Sequence, residues 1–259
     1  MDDVSEIPLA FDAHTHLDFP AFDADRGDVV DRARAAGIRG WVIAGADPVH
    51  WDRIDAIARA TGGIACHGVH PWWIPQLSDR DVRRATEDLW TRPTFGIGET
   101  GLDARRADSE TELARQEAAF RVHIEIAQTR GLPLVLHCVG AYPRLLEILE
   151  ESNEVTGMIH SWSGPPELVE RAVATGLYVS IGATVTRSGK VRRSAAAVPA
   201  DRLLLETDCP DQPVRRDERG EPIHLMEVAD RVAAVRDCDR DRLLAQTANN
   251  AAQLFGMSL

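Results

Sequence analysis

Four histidines and two carboxylates, His14, His16, Glu99, His137, His160 and Asp208, follow short apolar runs scattered along the 259 residues. His14 and His16 sit in Asp12-Ala13-His14-Thr15-His16, two positions apart, so on a strand both project to one side. Imidazole and carboxylate together bind Zn, Mn, Fe or Mg, and the ligand set does not name the metal. Six such groups exceed what one catalytic ion with an open water position uses. They suit two divalent ions about 3.5 to 4 Å apart that share a carboxylate, activate a water and clamp the oxygens of an in-line displacement. A single strand histidine is more often a hydrogen-bonded core residue, and His-x-His alone is a weak signal. Here five separate strand ends each carry a ligand-type residue.

The elements that must gather these groups are legible as alternation. Apolar runs rich in β-branched residues recur at Leu9–Phe11, Trp41–Ala44, Ile64–Cys66, Phe95–Ile97, Leu134–Leu136, Met158–Ile159, Tyr178–Ile181 and Leu203–Leu205. Helical faces lie between them: Trp51, Ile54 and Ala58; Leu113, Phe120, Ile124 and Ala127; Leu145, Ile148 and Leu149; Leu168, Val169, Ala172 and Val173. Gly37, Gly131 and Gly176 each stand between such a helix and the next strand, where a left-handed glycine ends helices. Leu225, Val228 and Val232, then Leu243, Ala248, Ala251 and Phe255, mark two more helices in the tail. The pattern predicts one domain over residues 1–259, a (β/α)8 barrel with an extra C-terminal helix. Its strands end on one rim, with the fourth ending at Glu99, so groups nearly 200 residues apart in sequence would meet.

Composition narrows the setting. With 41 acidic against 29 basic residues the net charge is -12, which excludes a broad basic face for gripping duplex nucleic acid but not a local phosphate site. Such a charge favours ends or short single strands as substrate. The four cysteines show no Cys-x-x-Cys spacing, the N-terminus lacks a signal-peptide pattern, and no apolar run reaches membrane-spanning length. A cytoplasmic enzyme with no membrane association and no obligate protein partner is expected. Lys190 is the only lysine beside 28 arginines.

Read in order, Asp12-Ala13-His14-Thr15-His16-Leu17, Gly68-Val69-His70-Pro71-Trp72, Gly98-Glu99-Thr100-Gly101-Leu102-Asp103, Leu134-Val135-Leu136-His137, His160-Ser161-Trp162-Ser163-Gly164 and Leu205-Glu206-Thr207-Asp208 form a specific set. The chain resembles the TatD-like metal-dependent deoxyribonucleases of the amidohydrolase-like barrel superfamily over nearly its whole length. The resemblance implies that His14, His16 and Asp208 hold one ion, that His137 and His160 hold the other, and that Glu99 bridges them. It also implies hydrolysis of DNA phosphodiesters, as a 3′-to-5′ exonuclease. Several dinuclear relatives bridge their ions with a carboxylated lysine on strand four. Lys190 lies between strands seven and eight and cannot stand there. On this reading the ions lower the pKa of a bound water and Asp208 accepts its proton. The alternatives are a dinuclear hydrolase of an amide, another C–N bond or a small phosphoester, and a non-catalytic binding barrel.

A second tier surrounds this set. His70 is a candidate for the scissile phosphate or for capping the Gly68-to-Pro71 turn. Arg105, Arg106, Lys190, Arg192 and Arg193 are phosphate candidates, because guanidinium offers bidentate donors; for Arg105, Arg106 and Arg192 the alternative is a solvated loop charge. Trp72, Trp73 and Trp162 are read as lid or core packing, or as platforms for an unpaired base. His67 reads as a core histidine, and His50, His123 and His224 as exposed helix residues. Cys138 and Cys209 adjoin ligands but face the other way. Two segments depart from the family pattern: Ala104-Arg105-Arg106, where relatives often carry an aromatic, and the charged stretch from Pro213 to Pro222. Both touch the rim and bear on substrate identity.

Overall fold

Nearly every strand residue is buried, because each strand is covered on both faces. The computed structural model describes residues 10–152 and 154–257. Its strands are β1 (Ala10–Thr15), β2 (Ile38–Gly45), β3 (Ile64–His67), β4 (Gly96–Asp103), β5 (Leu134–Val139), β6 (Gly157–Ile159), β7 (Leu177–Ile181) and β8 (Leu203–Leu205). They pair in parallel in chain order. The ring is drawn together where Asp208 N–H donates to His14 O at 3.0 Å and His16 N–H to Cys209 O at 2.8 Å. Asp12, buried in β1, reinforces this seam by accepting from Thr207 N–H and Oγ1–H at 2.9 and 2.6 Å.

Helices α1 (Arg26–Ala35), α2 (Trp51–Thr61), α3 (Asp79–Leu89), α4 (Glu110–Arg130), α5 (Tyr142–Glu151), α6 (Val169–Ala174), α7 (Gly189–Ala197) and α8 (Leu225–Arg236) each follow one strand, and α9 (Arg240–Phe255) is the extra one. The expected barrel with an additional C-terminal helix is the observed architecture. Strand alternation sorts side chains into two cores. Ala10, Ala65, Leu134, Leu136, Ile159 and Leu205 face outward against the helices. Phe11, Ala13, Val42, Cys66, Val135, Met158, Tyr178 and Leu204 face the axis. Helix α9 plugs the axial core with Ala248, Ala251, Leu254 and Phe255, removing from water the floor beneath the rim.

Three strand expectations shift. Leu9 lies outside the described residues. Phe95 precedes β4 and is 47% exposed, since the strand begins at Gly96. β4 also runs past Glu99 to Asp103, paired with β5 as far as Val139. Gly37, Gly131 and Gly176 have φ of 99°, 62° and 91°, as their places after helices require. Among the described residues no helix is long and apolar enough to cross a membrane.

Candidate metal centre

Two breaks in strand regularity aim the ligands. In β1, Ala13 belongs to the axial core, yet His14 and His16 also point to the axis; the register shift between Asp12 and Thr15 is where the parity changes. In β4, Ile97 and Leu102 both face outward although an odd number of residues apart, and the register shift between Ile97 and Thr100 turns Glu99 inward. Gly98 makes this possible: its φ is 151°, and a Cβ there would lie 2.2 Å from Val135 O. His137 and His160 need no such device, whereas Asp208, beyond the end of β8, takes a left-handed backbone with φ of 56°. His137 follows axial Val135 by two positions, His160 follows Met158 by two, and Asp208 follows Leu204 by four.

The two oxygens of Glu99 face different groups. Oε2 lies 3.4 Å from His14 Nε2 and 3.6 Å from His16 Nε2, whose partner Asp208 Oδ1 is 3.7 and 3.5 Å from the same two nitrogens. Oε1 lies 3.1 Å from His137 Nδ1, 2.9 Å from His160 Nε2 and 3.0 Å from His70 Nε2. Atoms close enough to share an ion group as His14, His16 and Asp208, as His70, Glu99 and His137, and as His14, Glu99 and His160. All six expected ligands therefore meet, and His70 joins them.

The donor set fits metal. His14 Nε2 and His16 Nε2 face each other at 3.4 Å, and His137 Nδ1 and His160 Nε2 at 3.2 Å. Two imidazole lone pairs repel at that range unless a proton or a cation stands between them. Glu99 Oε2 is buried without a hydrogen-bond partner. Two outer nitrogens agree. His16 Nδ1 is 3.1 Å from Ala44 O and His137 Nε2 is 3.2 Å from Asp103 Oδ2, while His14 Nδ1 and His160 Nδ1, the latter 3.5 Å from Glu206 Oε1, have no hydrogen-bond partner among the described residues. Each acceptor draws the ring proton outward and leaves the inward nitrogen bare, the arrangement of metal-bound histidines. His70 is the reverse: its Nδ1 accepts from Trp72 N–H at 3.1 Å, so a neutral ring carries its proton on the inward Nε2.

Electrostatics sharpen the demand for a cation. Burial pushes the Glu99 carboxyl up, but the imidazoles of His70, His160 and His14 and a hydrogen bond from His137 outweigh it and hold it well below its ordinary value. Asp208 is held at about 2 against its own burial, chiefly by His16. Burial lowers His16, yet Asp208 and Glu99 raise it to about 9, so without an ion a proton supplies the charge these anions need.

A cavity of about 670 Å³ opens over the cluster and is lined by Arg105, Trp72, Ser161 and Gln212 as well as every expected ligand except His14. Arg106 lines an adjoining cleft of about 640 Å³ with Trp72, Trp73 and Arg105. Lys190 and Arg193 are exposed on α7 and line neither cavity. Arg192 donates instead to the carbonyls of Val185 and Thr186 at 3.1 and 3.3 Å. Trp162 is core, its indole donating to Ser194 Oγ at 3.2 Å. Cys138 and Cys209 belong to the outer apolar layer. In the stretch after Pro213 two arginines are paired: Arg215 with Glu218 and Glu227, Arg219 with Asp25 and Glu221.

His67 is buried, with Nε2 3.2 Å from Asp55. His50 is exposed, and His224 is half-buried, accepting from Glu221 N–H at 3.2 Å. His123 is a correction: it is fully buried on α4, with Nδ1–H donating to Ala119 O at 2.7 Å and Nε2 accepting from Val69 N–H at 3.0 Å. It holds the loop that carries His70. Three further residues, Asp103, Glu206 and Gln212, stand beside the ligands. Asp103 and Glu206 had a signal, since each stands in a motif already singled out, and Glu206 is two positions from Asp208 on one face. Gln212 had none: it reaches back to Asp208 Oδ2 at 2.6 Å and Ser161 Oγ at 2.7 Å from a backbone with φ of 49°.

An eight-stranded parallel barrel whose C-terminal rim gathers imidazoles around buried carboxylates is that of a metal-dependent hydrolase. The model of the TatD related DNase family matches residues 11–256, and the chain belongs to that family. It is similar to the 3′-5′ ssDNA/RNA exonuclease TatD of Erwinia amylovora, 33% identical over 260 residues that cover 95% of this chain and 100% of the relative. The metal-dependent hydrolase YabD of Bacillus subtilis is 29% identical over 255 residues, covering 95% of this chain and 99% of its own. Among solved structures, YjjV, a TatD homolog from Escherichia coli, superposes with a TM-score of 0.89 at 27% identity, covering 97% of this chain and 100% of that one.

Proposed function

We propose that the protein is a divalent-metal-dependent phosphodiesterase that removes nucleotides from the 3′ ends of single-stranded DNA. The observation that carries this reading is the division of Glu99, one oxygen toward His14, His16 and Asp208 and the other toward His137 and His160. A carboxylate so placed suits a bridge between two divalent ions, Mg, Mn, Zn or Fe. His14, His16 and Asp208 would hold one, and His137 and His160 the other. Such ions lower the pKa of a bound water and offset charge on a phosphoryl group.

The chain's own residues supply the rest. Asp208 turns Oδ1 to the histidines and leaves Oδ2 beneath the Gln212 amide, within the cavity, as the oxygen that accepts a proton from water. His70, with its proton on Nε2, is a donor for a non-bridging phosphate oxygen. Arg105 is exposed on the cavity wall as a further phosphate contact. The names of the TatD relatives, which act on single-stranded DNA and RNA, support the substrate class.

Metal analysis of protein purified without chelator, joined to assays on single-stranded DNA, dinucleotides and a panel of amides, tests the proposal. About two ions per chain and cleavage from 3′ ends are expected. Turnover of amides with none of any nucleic acid across Mg, Mn, Zn and Co overturns it, and metal near zero returns the chain to a binding barrel.

A further inference from the structure

Helix α4 carries two polar side chains on its buried face. Gln116 and His123 stand seven residues apart, about two turns, and both are fully buried beside Ala119 and Phe120. Both reach backbone outside the helix. Gln116 Oε1 accepts from Asp103 N–H at 2.8 Å, and its amide donates back to Asp103 O at 3.3 Å. His123 gives Nδ1–H to Ala119 O, which leaves Nε2 bare to accept from Val69 N–H at 3.0 Å. An apolar residue at either position would fill the space without needing partners, so what the polar pair adds is a grip on two pieces of backbone. Those two pieces flank the metal centre. His70, next after Val69, has Nε2 3.0 Å from Glu99 Oε1, and Asp103 backs the ring of His137. Trp72 joins them, its backbone N–H donating to His70 Nδ1 at 3.1 Å and its indole to Asp103 Oδ2 at 2.5 Å. Hydrogen bonds thus run from His123 through the β3–α3 loop to Asp103, and through Gln116 back to the same helix.

We propose that His123 is a positioning residue for His70, acting from outside the barrel. The inference rests on the phosphodiesterase reading above, in which His70 donates to a non-bridging oxygen, and adds what holds that donor in place. The bond from Val69 N–H lies one residue before His70, so a movement of the loop there moves the inward Nε2–H relative to Glu99. A donor fixed beforehand needs no reorganisation as charge develops on the oxygen. Its displacement by about 1 Å costs up to about 100-fold in rate. His123 holds the loop only as an acceptor, because its other nitrogen keeps its proton on Ala119 O. A glutamine brings an acceptor to a comparable reach. A leucine fills the space and brings none.

The test compares His123→Leu and His123→Gln with the wild type by two readouts. The first is amide hydrogen exchange, followed by NMR on metal-free protein. Exchange at Val69 should quicken about tenfold in His123→Leu, the effect of one lost buried hydrogen bond, and stay near the wild-type rate in His123→Gln. The amides of β5 serve as control and should exchange alike in all three. The second readout is hydrolysis of bis(p-nitrophenyl) phosphate by metal-loaded protein, normalised to bound metal. In His123→Leu kcat should fall about 10- to 100-fold with KM little changed, and His123→Gln should recover most of the loss. Wild-type exchange at Val69 as fast as that of an unbonded loop amide overturns the proposal, even where His123→Leu does not fold. So does an equal quickening in β5, or a loss of kcat that glutamine does not restore. A wild type that cleaves no diester with any metal, but whose Val69 amide is released by leucine alone, loses the phosphodiesterase reading and keeps the hold of His123 on the loop. Three proteins that cleave the diester equally fast keep the reading and lose the positioning role.

Discussion

Asp103 Oδ2 lies 3.2 Å from Nε2 of His137, on the side of the ring turned away from Glu99. Asp103 stands four positions after Glu99 on β4, so one strand supplies both the carboxylate inside the ligand cluster and the one that orients a ligand from outside. The neighbouring bonds hold Asp103 ionised: against the effect of burial, His137 and Trp72 bring its pKa to about 2.

Asp103→Asn is accordingly expected to weaken metal binding by about 10- to 100-fold, the usual cost of losing a carboxylate behind a ligating histidine. The amide keeps the shape and can still accept from Arg105 N–H, which Asp103 Oδ1 does at 2.9 Å. Competition with a chelator reads the affinity, and a thermal melt checks the fold. Unchanged affinity in a folded variant would refute the orienting role.

Gln212 performs the corresponding task for Asp208. Its amide fixes Oδ2 and ties it to Ser161 at the end of β6. Removing it in Gln212→Ala frees the carboxylate to swing between oxygens, and kcat should fall about 10- to 100-fold. The KM for a small diester should change much less, because no substrate contact is removed. Steady-state kinetics at saturating metal decide it, and an effect confined to KM would assign Gln212 to binding instead.

The ligand set was legible because it obeys a rule of two. His14 and His16, Val135 and His137, Met158 and His160, and Leu204 and Asp208 lie at even spacing in sequence, along the strands or just past their ends. What alternation alone could not give was the inward turn of Glu99, since it depends on an irregular β4 and on Gly98. Helix α7 leaves little trace in the sequence because arginines and alanines dominate it and only Val191, Ser194 and Ala195 are buried, which hides that Lys190 and Arg193 stand exposed on it. His123 was misplaced for a related reason: on α4 its face carries apolar Ala119 and Ile126, but a histidine reads as polar until its partners, Ala119 O and Val69 N–H, are seen. Gln212 depends on a turn and left no periodic trace.

The burial of His123 makes a prediction about acid. Burial lowers its pKa from 6.5 to about 4, against the opposing hydrogen bond to Ala119. Between those values the unfolded chain binds a proton that the folded chain refuses. Stability from this group is therefore complete above pH 6.5 and declines as pH falls toward 4. Between pH 7 and pH 5 the loss is about 2 kcal/mol. His67, lowered to about 4 chiefly by burial, acts in the same direction. Urea unfolding at the two pH values should show a smaller loss in His123→Gln than in the wild type, and equal losses would place the sensitivity elsewhere.

Glu99→Gln tests the bridge through stability rather than turnover. An ion that binds only the folded chain raises its stability by RT ln(1 + [L]/Kd), about 2.7 kcal/mol at one hundred times Kd. In the wild type, Mn added to chelator-treated protein should therefore raise Tm. A glutamine cannot present two anionic oxygens, so ligands on both sides of Glu99 lose a shared partner and the increment should shrink or vanish. Metal-free Glu99→Gln should at the same time be less stable than metal-free wild type, because the imidazoles around Glu99 hold it ionised and the substitution takes away the anion they face. Thermal melts of both proteins with and without Mn provide all four values. An undiminished increment in the variant would mean that Glu99 does not bridge, and would leave His14, His16 and Asp208 as a single-ion site.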